Sequence, residues 1–129
     1  MDLTVIVPTF NEGPNVAELV RRLGAALQGR EFEVVFVDDS TDDTPAIIRG
    51  VADATDFPVR LIHRDEPDAG LGGAVVEGIR AAQARWCLVM DGDLQHPPED
   101  IPRMIDRAAV GDVDVVVASR YVAGGTAGG

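Results

Sequence analysis

The chain contains no lysine; all 11 of its basic residues are arginine. Against them stand 22 Asp and Glu, giving a formal net charge of −11 and a sequence pI near 4.3. That balance excludes nucleic acid as a partner, because neutralising phosphates takes clustered basic side chains. A salt-rich cytoplasm would screen such a surface, and a genome that writes arginine for lysine would also produce it. Both readings stay open. A single cysteine, Cys87, rules out an intrachain disulfide. It lies inside the apolar run "RWCLVMD" and is expected to be packed, not reactive. No apolar run approaches the roughly 18 residues that cross a bilayer. No basic-then-apolar leader opens the chain either, since strand-like residues begin at Leu3. The expectation is a soluble, cytoplasmic protein.

What is present is enough for one domain with a sizeable core: 129 residues, 46% of them hydrophobic. Five β-branched runs, at 3–8, 32–38, 58–62, 86–91 and 113–119, alternate with helix-like segments. Four are nearly continuous Val, Ile or Leu, the mark of strands buried on both faces of a parallel sheet. The run at 58–62 is more mixed and is expected nearer an edge. Val16, Leu19, Val20, Leu23 and Leu27 form one helical stripe behind Pro14. A second helix is expected with Thr44 as N-cap, Pro45 as first residue and Ile47, Ile48 and Val51 buried. "GLGGAVVEGIRAAQA" reads as a third helix and "PEDIPRMIDRAA" as a shorter fourth. The order predicts an α/β fold: a Rossmann-like, open, mainly parallel sheet with helices on both faces. Residues 123–129 are glycine-rich and aperiodic, and read as a loop or tail.

Ligands of open α/β sheets bind beyond the carboxyl ends of the strands. Here four runs end in polar tails: "PTFNEG", "DDSTDD", "DGDLQ" and "SRYVAGG". Asp91 and Asp93 are two residues apart, so in extended geometry both carboxylates face one place, with Gly92 allowing close backbone approach. Two hard oxygen donors suit Mg²⁺ or Mn²⁺, with phosphates and water completing the shell. Gln95 can add an amide oxygen; His96, ahead of two prolines, reads better as part of a turn. Asp38 and Asp39 can accept from a nucleobase or a ribose, or form a turn; for Asp42 and Asp43 the Asx turn is preferred. Phe10 offers a flat face and Glu12 an acceptor. "GLGGAVVEG" does not meet the G-x-G-x-x-G dinucleotide spacing and follows the third run, not the first.

With "VIVPTFNEGPNV", "EVVFVDDSTDDT", "GLGGAVVEGI", "VMDGDLQHPPEDIP" and "VVASRYVAGG" in this order, the chain resembles family 2 glycosyltransferases of GT-A fold. Within them it is most similar to the polyprenyl-phosphate (dolichol-phosphate) mannose synthases and their glucosyl relatives. The resemblance implies that Pro8, Phe10, Glu12, Val37 and Asp39 cradle the nucleoside. It implies that Asp91, Gly92 and Asp93 contact diphosphate and sugar, with Asp91, Asp93 and Gln95 around the metal. Arg120 would reach the diphosphate or the acceptor phosphate. The implied reaction is inverting transfer of a hexose from a nucleoside-diphosphate sugar, GDP-mannose before UDP-glucose, to a lipid phosphate at a membrane surface. The full-length protein would then lie at the cytoplasmic face of the membrane. The acceptor-holding part is expected to be absent from these residues, which predicts donor binding without transfer.

Two departures from the family stand out. Phe10 replaces a frequent tyrosine, and "RDEPDAGLG" lacks the usual basic residue close before the glycines, leaving Arg64 as the nearest cation. A polysaccharide-directed transferase of the same family and a non-catalytic nucleotide-sugar-binding module are the alternatives. A phosphoacceptor receiver domain is disfavoured, because its acidic pair follows the first strand and it needs a lysine. A sugar nucleotidyltransferase would want a basic, glycine-rich first loop, and "PTFNEGPN" has no basic residue.

Overall fold

The computed structural model describes residues 3–65, 70–94, 97–109 and 115–118. Five strands, β1 (Leu3–Thr9), β2 (Phe32–Asp38), β3 (Val59–His63), β4 (Trp86–Met90) and β5 (Val115–Ala118), form one sheet in the order β3-β2-β1-β4-β5. Every pairing is parallel. Strand bounds fall within two residues of those expected wherever the residues are described. The mixed third run is an edge strand, as its composition implied, and is only partly buried.

Side chains alternate across the sheet and feed two cores. Val5, Val7, Val34, Phe36, Leu88 and Met90 pack with the stripe of α1 (Gly13–Ala26), with Ile48 of α2 (Thr44–Ala54) and with Ile101 of α4 (Ile101–Ala109). Ile6, Val35, Val37, Cys87 and Val89 face the other way, onto Ala74 of α3 (Gly70–Ala81). Helices therefore cover both faces. Cys87 is buried, and burial pushes its thiol up, so it is a packing residue. The segment before α4 forms a single 3₁₀ turn at Pro98–Asp100.

Two local expectations need correction. Thr44 is the first helical residue of α2, not its cap; Asp43 occupies the cap without a side-chain bond. The Thr44 backbone N–H and hydroxyl instead donate to Asp42 Oδ1 at 2.9 and 2.6 Å, the Asx turn expected for Asp42. Nor does Pro8 end β1, since the strand continues to Thr9. Proline is tolerated there because pairing to β4 stops at Ile6↔Val89, whereas pairing to β2 continues to Thr9↔Asp38. The sheet splits at that point.

Candidate functional site

β1 has β2 on one side and β4 on the other, so the strand order reverses between β1 and β4. That is where an open α/β sheet places its ligand crevice, and the split beyond Ile6 and Val89 widens it. A cleft of about 370 Å³ opens there. Pro8, Phe10 and Glu12 line it from the β1 exit, Asp39 from the β2 exit, and Asp91, Gly92 and Asp93 from the β4 exit. The start of α3 closes it with Gly70, Leu71 and Ala74. Val37 does not join them: it is fully buried in the α3-side core with Val35 and Ala74. Gln95, His96 and Arg120 lie outside the described residues, as does the 123–129 tail.

The β1 exit is sharply bent. Asn11 has φ +52°, and the Phe10 N–H donates to Glu12 Oε1 at 3.1 Å. Phe10 is left 59% exposed, a flat apolar face at the cleft rim. Gly92 is buried, and a Cβ there would stand 3.0 Å from Thr9 Cγ2 and 3.3 Å from Glu12 Oε2. The close approach expected of Gly92 is thus an approach to the β1 loop.

Glu12 is half-buried, and burial pushes its carboxyl above the ordinary range, with repulsion from Asp93, Asp91 and Asp38 adding to the rise. A raised carboxylate pKa means that ionisation costs more in the folded chain than in the unfolded one. The cost is absent below the unfolded value of about 4.3 and grows as pH rises through the folded value. Glu12→Gln is therefore expected to melt higher than wild type at pH 7.5 in EDTA, with the difference vanishing near pH 4. Equal melting temperatures at pH 7.5 would show that the cleft carries no such repulsion.

Asp38 and Asp39, adjacent in sequence, have separate fates. Asp38 is fully buried below the cleft and accepts from Thr9 Oγ1 and Ser40 Oγ, both at 2.6 Å. Its other oxygen meets the Ser40 N–H at 3.2 Å and His63 Nδ1 at 2.9 Å. It is a strut; contact with a base or ribose is not open to it. Asp39 lines the cleft, but both its oxygens already take Arg64 at 2.7 Å in a forked pair. Arg64 also donates to the Gly70 carbonyl at 2.9 Å. Gly70, at φ +53°, is a bend that glycine accepts without strain.

Leu71 and Ala74, which line the cleft, and Arg64, which holds Asp39 at its wall, were not expected there from the sequence. Only Arg64 had a visible signal, as the nearest cation before the glycines. Among the described residues no three His, Cys, Asp or Glu are grouped so as to hold a metal by themselves.

Residues 4–128 match the family described as Glycosyl transferase family 2. The dolichol-phosphate mannosyltransferase of Pyrococcus furiosus is 42% identical over 125 residues, covering 97% of this chain and 35% of that protein. The undecaprenyl-phosphate 4-deoxy-4-formamido-L-arabinose transferase of Pseudomonas paraeruginosa is 36% identical, covering 92% of this chain and 35% of that protein. Among solved structures, the mannosyltransferase PcManGT of Pyrobaculum calidifontis, in complex with GDP-Man and Mn²⁺, superposes with a TM-score of 0.73 at 30% identity. That match covers 83% of this chain and 32% of the solved one. The chain thus spans about a third of the length of these relatives. The fold is the expected GT-A type, and the chain belongs to glycosyl transferase family 2.

Proposed function

We propose that these residues form the donor-binding part of a glycosyltransferase that moves a hexose from a nucleoside-diphosphate sugar to a polyprenyl phosphate. GDP-mannose is the favoured donor and UDP-glucose the alternative. The observation that carries the reading is the convergence of three strand exits on one cleft with an aromatic rim and a carboxylate floor. The relatives' names, mannosyl transfer to dolichol phosphate and sugar transfer to undecaprenyl phosphate, support the acceptor class.

In this reading Phe10 supplies a stacking face for the base, and Asp39, fixed by its fork with Arg64, offers its remaining lone pairs beside it. Glu12 accepts a ribose hydroxyl. Asp91 and Asp93 face the diphosphate, and Gln95 and Arg120 are proposed to complete the metal and phosphate contacts. The donor set fits Mg²⁺ or Mn²⁺. Asp91 and Asp93 each repel Glu12 across the cleft, so a cation there relieves it, and Mg²⁺ is commonly held by one or two carboxylates plus substrate phosphates. When bound, the metal would offset the charge of the departing diphosphate. A lipid phosphate is already an anion, so the nucleophile needs little help from a general base. The chain's own contribution is then positioning. Single displacement across such a cleft implies inversion at the sugar. No helix among the described residues is long and apolar enough to cross a membrane, and the full-length protein is proposed to act peripherally at the cytoplasmic membrane face.

Calorimetric titration tests the donor half. GDP-mannose is expected to bind with Mn²⁺ present, about tenfold or more tighter than UDP-glucose, a difference of about 1.4 kcal/mol. Failure of both sugar nucleotides to bind with Mn²⁺ would overturn the reading. Transfer of labelled mannose to polyprenyl phosphate by the full-length protein tests the acceptor half.

A further inference from the structure

We propose that Ser40 and Asn11 are positioning residues, a hydrogen-bonded relay by which the buried Asp38 sets the conformation of the Phe10–Glu12 loop. The proposal rests on the donor-binding reading above for its functional consequence, though not for its structural part.

The relay begins with charge. Asp38 is fully buried at the end of β2, opposite Thr9 in register. Its Oδ1 takes the hydroxyl protons of Thr9 and Ser40, each at 2.6 Å. A serine hydroxyl has one proton, so once that proton is committed to the carboxylate its oxygen can only accept from the next group. The next group is the Asn11 backbone N–H, 2.7 Å away and 29 residues distant in sequence. Asn11 returns a second tie, since its Oδ1 accepts the Thr41 N–H at 2.9 Å. These two bonds at Asn11 add to those of Thr9 in stitching the β1 exit to the β2 exit.

Asn11 stands at φ +52°, where L side chains other than Asn and Asp are seldom found. The bend has two consequences in the cleft. It folds Glu12 back to accept the Phe10 N–H, and it leaves the Phe10 ring exposed at the rim. Neither Phe10 nor Glu12 touches Ser40 in these hydrogen bonds; their arrangement follows from Asn11. Hydrogen bonds to an ionised acceptor are the stronger kind, so the buried carboxylate anchors the series at its inner end.

The test reads amide exchange by NMR alongside nucleotide affinity. In Ser40→Ala the Asn11 N–H loses its acceptor and is expected to exchange faster. If the relay holds, the Phe10 N–H, which Ser40 does not touch, is also released, and GDP binding with Mn²⁺ weakens about tenfold or more. Should Ser40→Ala fold poorly, the exposed Asn11 supplies a second comparison. Asn11→Gly keeps the backbone N–H and access to positive φ but loses the Thr41 tie, so it is expected to bind more weakly than wild type yet clearly more tightly than Asn11→Ala. Phe10 protection unchanged in Ser40→Ala, or alanine and glycine equivalent at position 11, would overturn the relay. If wild type binds no nucleotide, the donor-binding reading fails, and the Phe10 exchange rate in Ser40→Ala still decides the relay.

Discussion

Replacing Glu33 by alanine is expected to lower the melting temperature by about 10 °C, from a loss of about 3 kcal/mol in a domain of this size. Glu33 sits at the start of β2 with its side chain 1% exposed, at the sheet edge opposite the cleft. Burial pushes its carboxyl up, but hydrogen bonds from Thr4 and the Gln83 backbone, together with Arg60, outweigh burial and hold it below the ordinary range. The Thr4 hydroxyl donates at 2.6 Å, the Gln83 N–H at 2.8 Å and Arg60 Nε at 3.0 Å. Alanine would leave the fully buried Thr4 hydroxyl without its acceptor, at a cost of about 1–3 kcal/mol, and would also remove the acceptor of the part-buried Gln83 N–H. Arg60 is 36% exposed and still donates to the Ala81 carbonyl, so its charge can reach water. The expected loss is therefore near the lower end for breaking a buried pair.

Glu33→Gln separates the contributions. An amide oxygen can still accept from Thr4 and Gln83, while its NH₂ faces Arg60, so roughly half the loss is expected. The sign with pH follows from the lowered pKa. Stability from Glu33 is fully present above the unfolded value of about 4.3 and is lost as pH falls through the folded value. The gap between wild type and Glu33→Ala should accordingly close in acid. Nucleotide binding should be unchanged, because about five residues of strand, roughly 16 Å, separate Glu33 from the cleft. A variant that melts with wild type at pH 7 would show that the network contributes nothing.

The sheet was legible because β1, β2 and β4 are buried on both faces, and burial on both faces writes itself as an unbroken apolar run. The strand-exit residues were legible for a different reason. A parallel sheet brings all its carboxyl ends to one edge, so Phe10, Glu12, Asp39 and Asp91 had to be neighbours once the strand order was known. What adjacent aspartates do was not legible. Asp38 and Asp39 are two equal letters, yet the pleat turns one into the core and the other toward the cleft, and only the three-dimensional partners Thr9, Ser40 and Arg64 tell them apart. Val37 illustrates the same limit, since alternation along β2 sends it to the α3-side core. Thr44 was misassigned because two good capping residues, Asp42 and Thr44, compete within one turn, and the Asx turn of Asp42 takes Thr44 as its donor.

The aspartates at the β4 exit carry the sharpest expectation. If Asp91 and Asp93 hold a metal diphosphate, GDP should stabilise the fold only when Mg²⁺ or Mn²⁺ is present. At a hundredfold excess over Kd, linkage gives about 2.7 kcal/mol, a melting shift on the order of 10 °C. Asp91→Asn and Asp93→Asn should each abolish that metal-dependent shift. Without ligand, both variants should remain folded, because each removes one of the charges that raise Glu12. Asp38→Asn is unsuitable as a control, since Asp38 is a buried strut and its loss weakens the fold itself. Asp106→Asn serves instead: its side chain is 76% exposed on α4, and the metal-dependent shift should survive. The decisive contrast is between two patterns. Loss of the shift with an intact apo fold assigns the pair to the ligand, whereas unfolding of both apo variants with nucleotide binding retained would make the aspartates structural and end the metal-diphosphate reading.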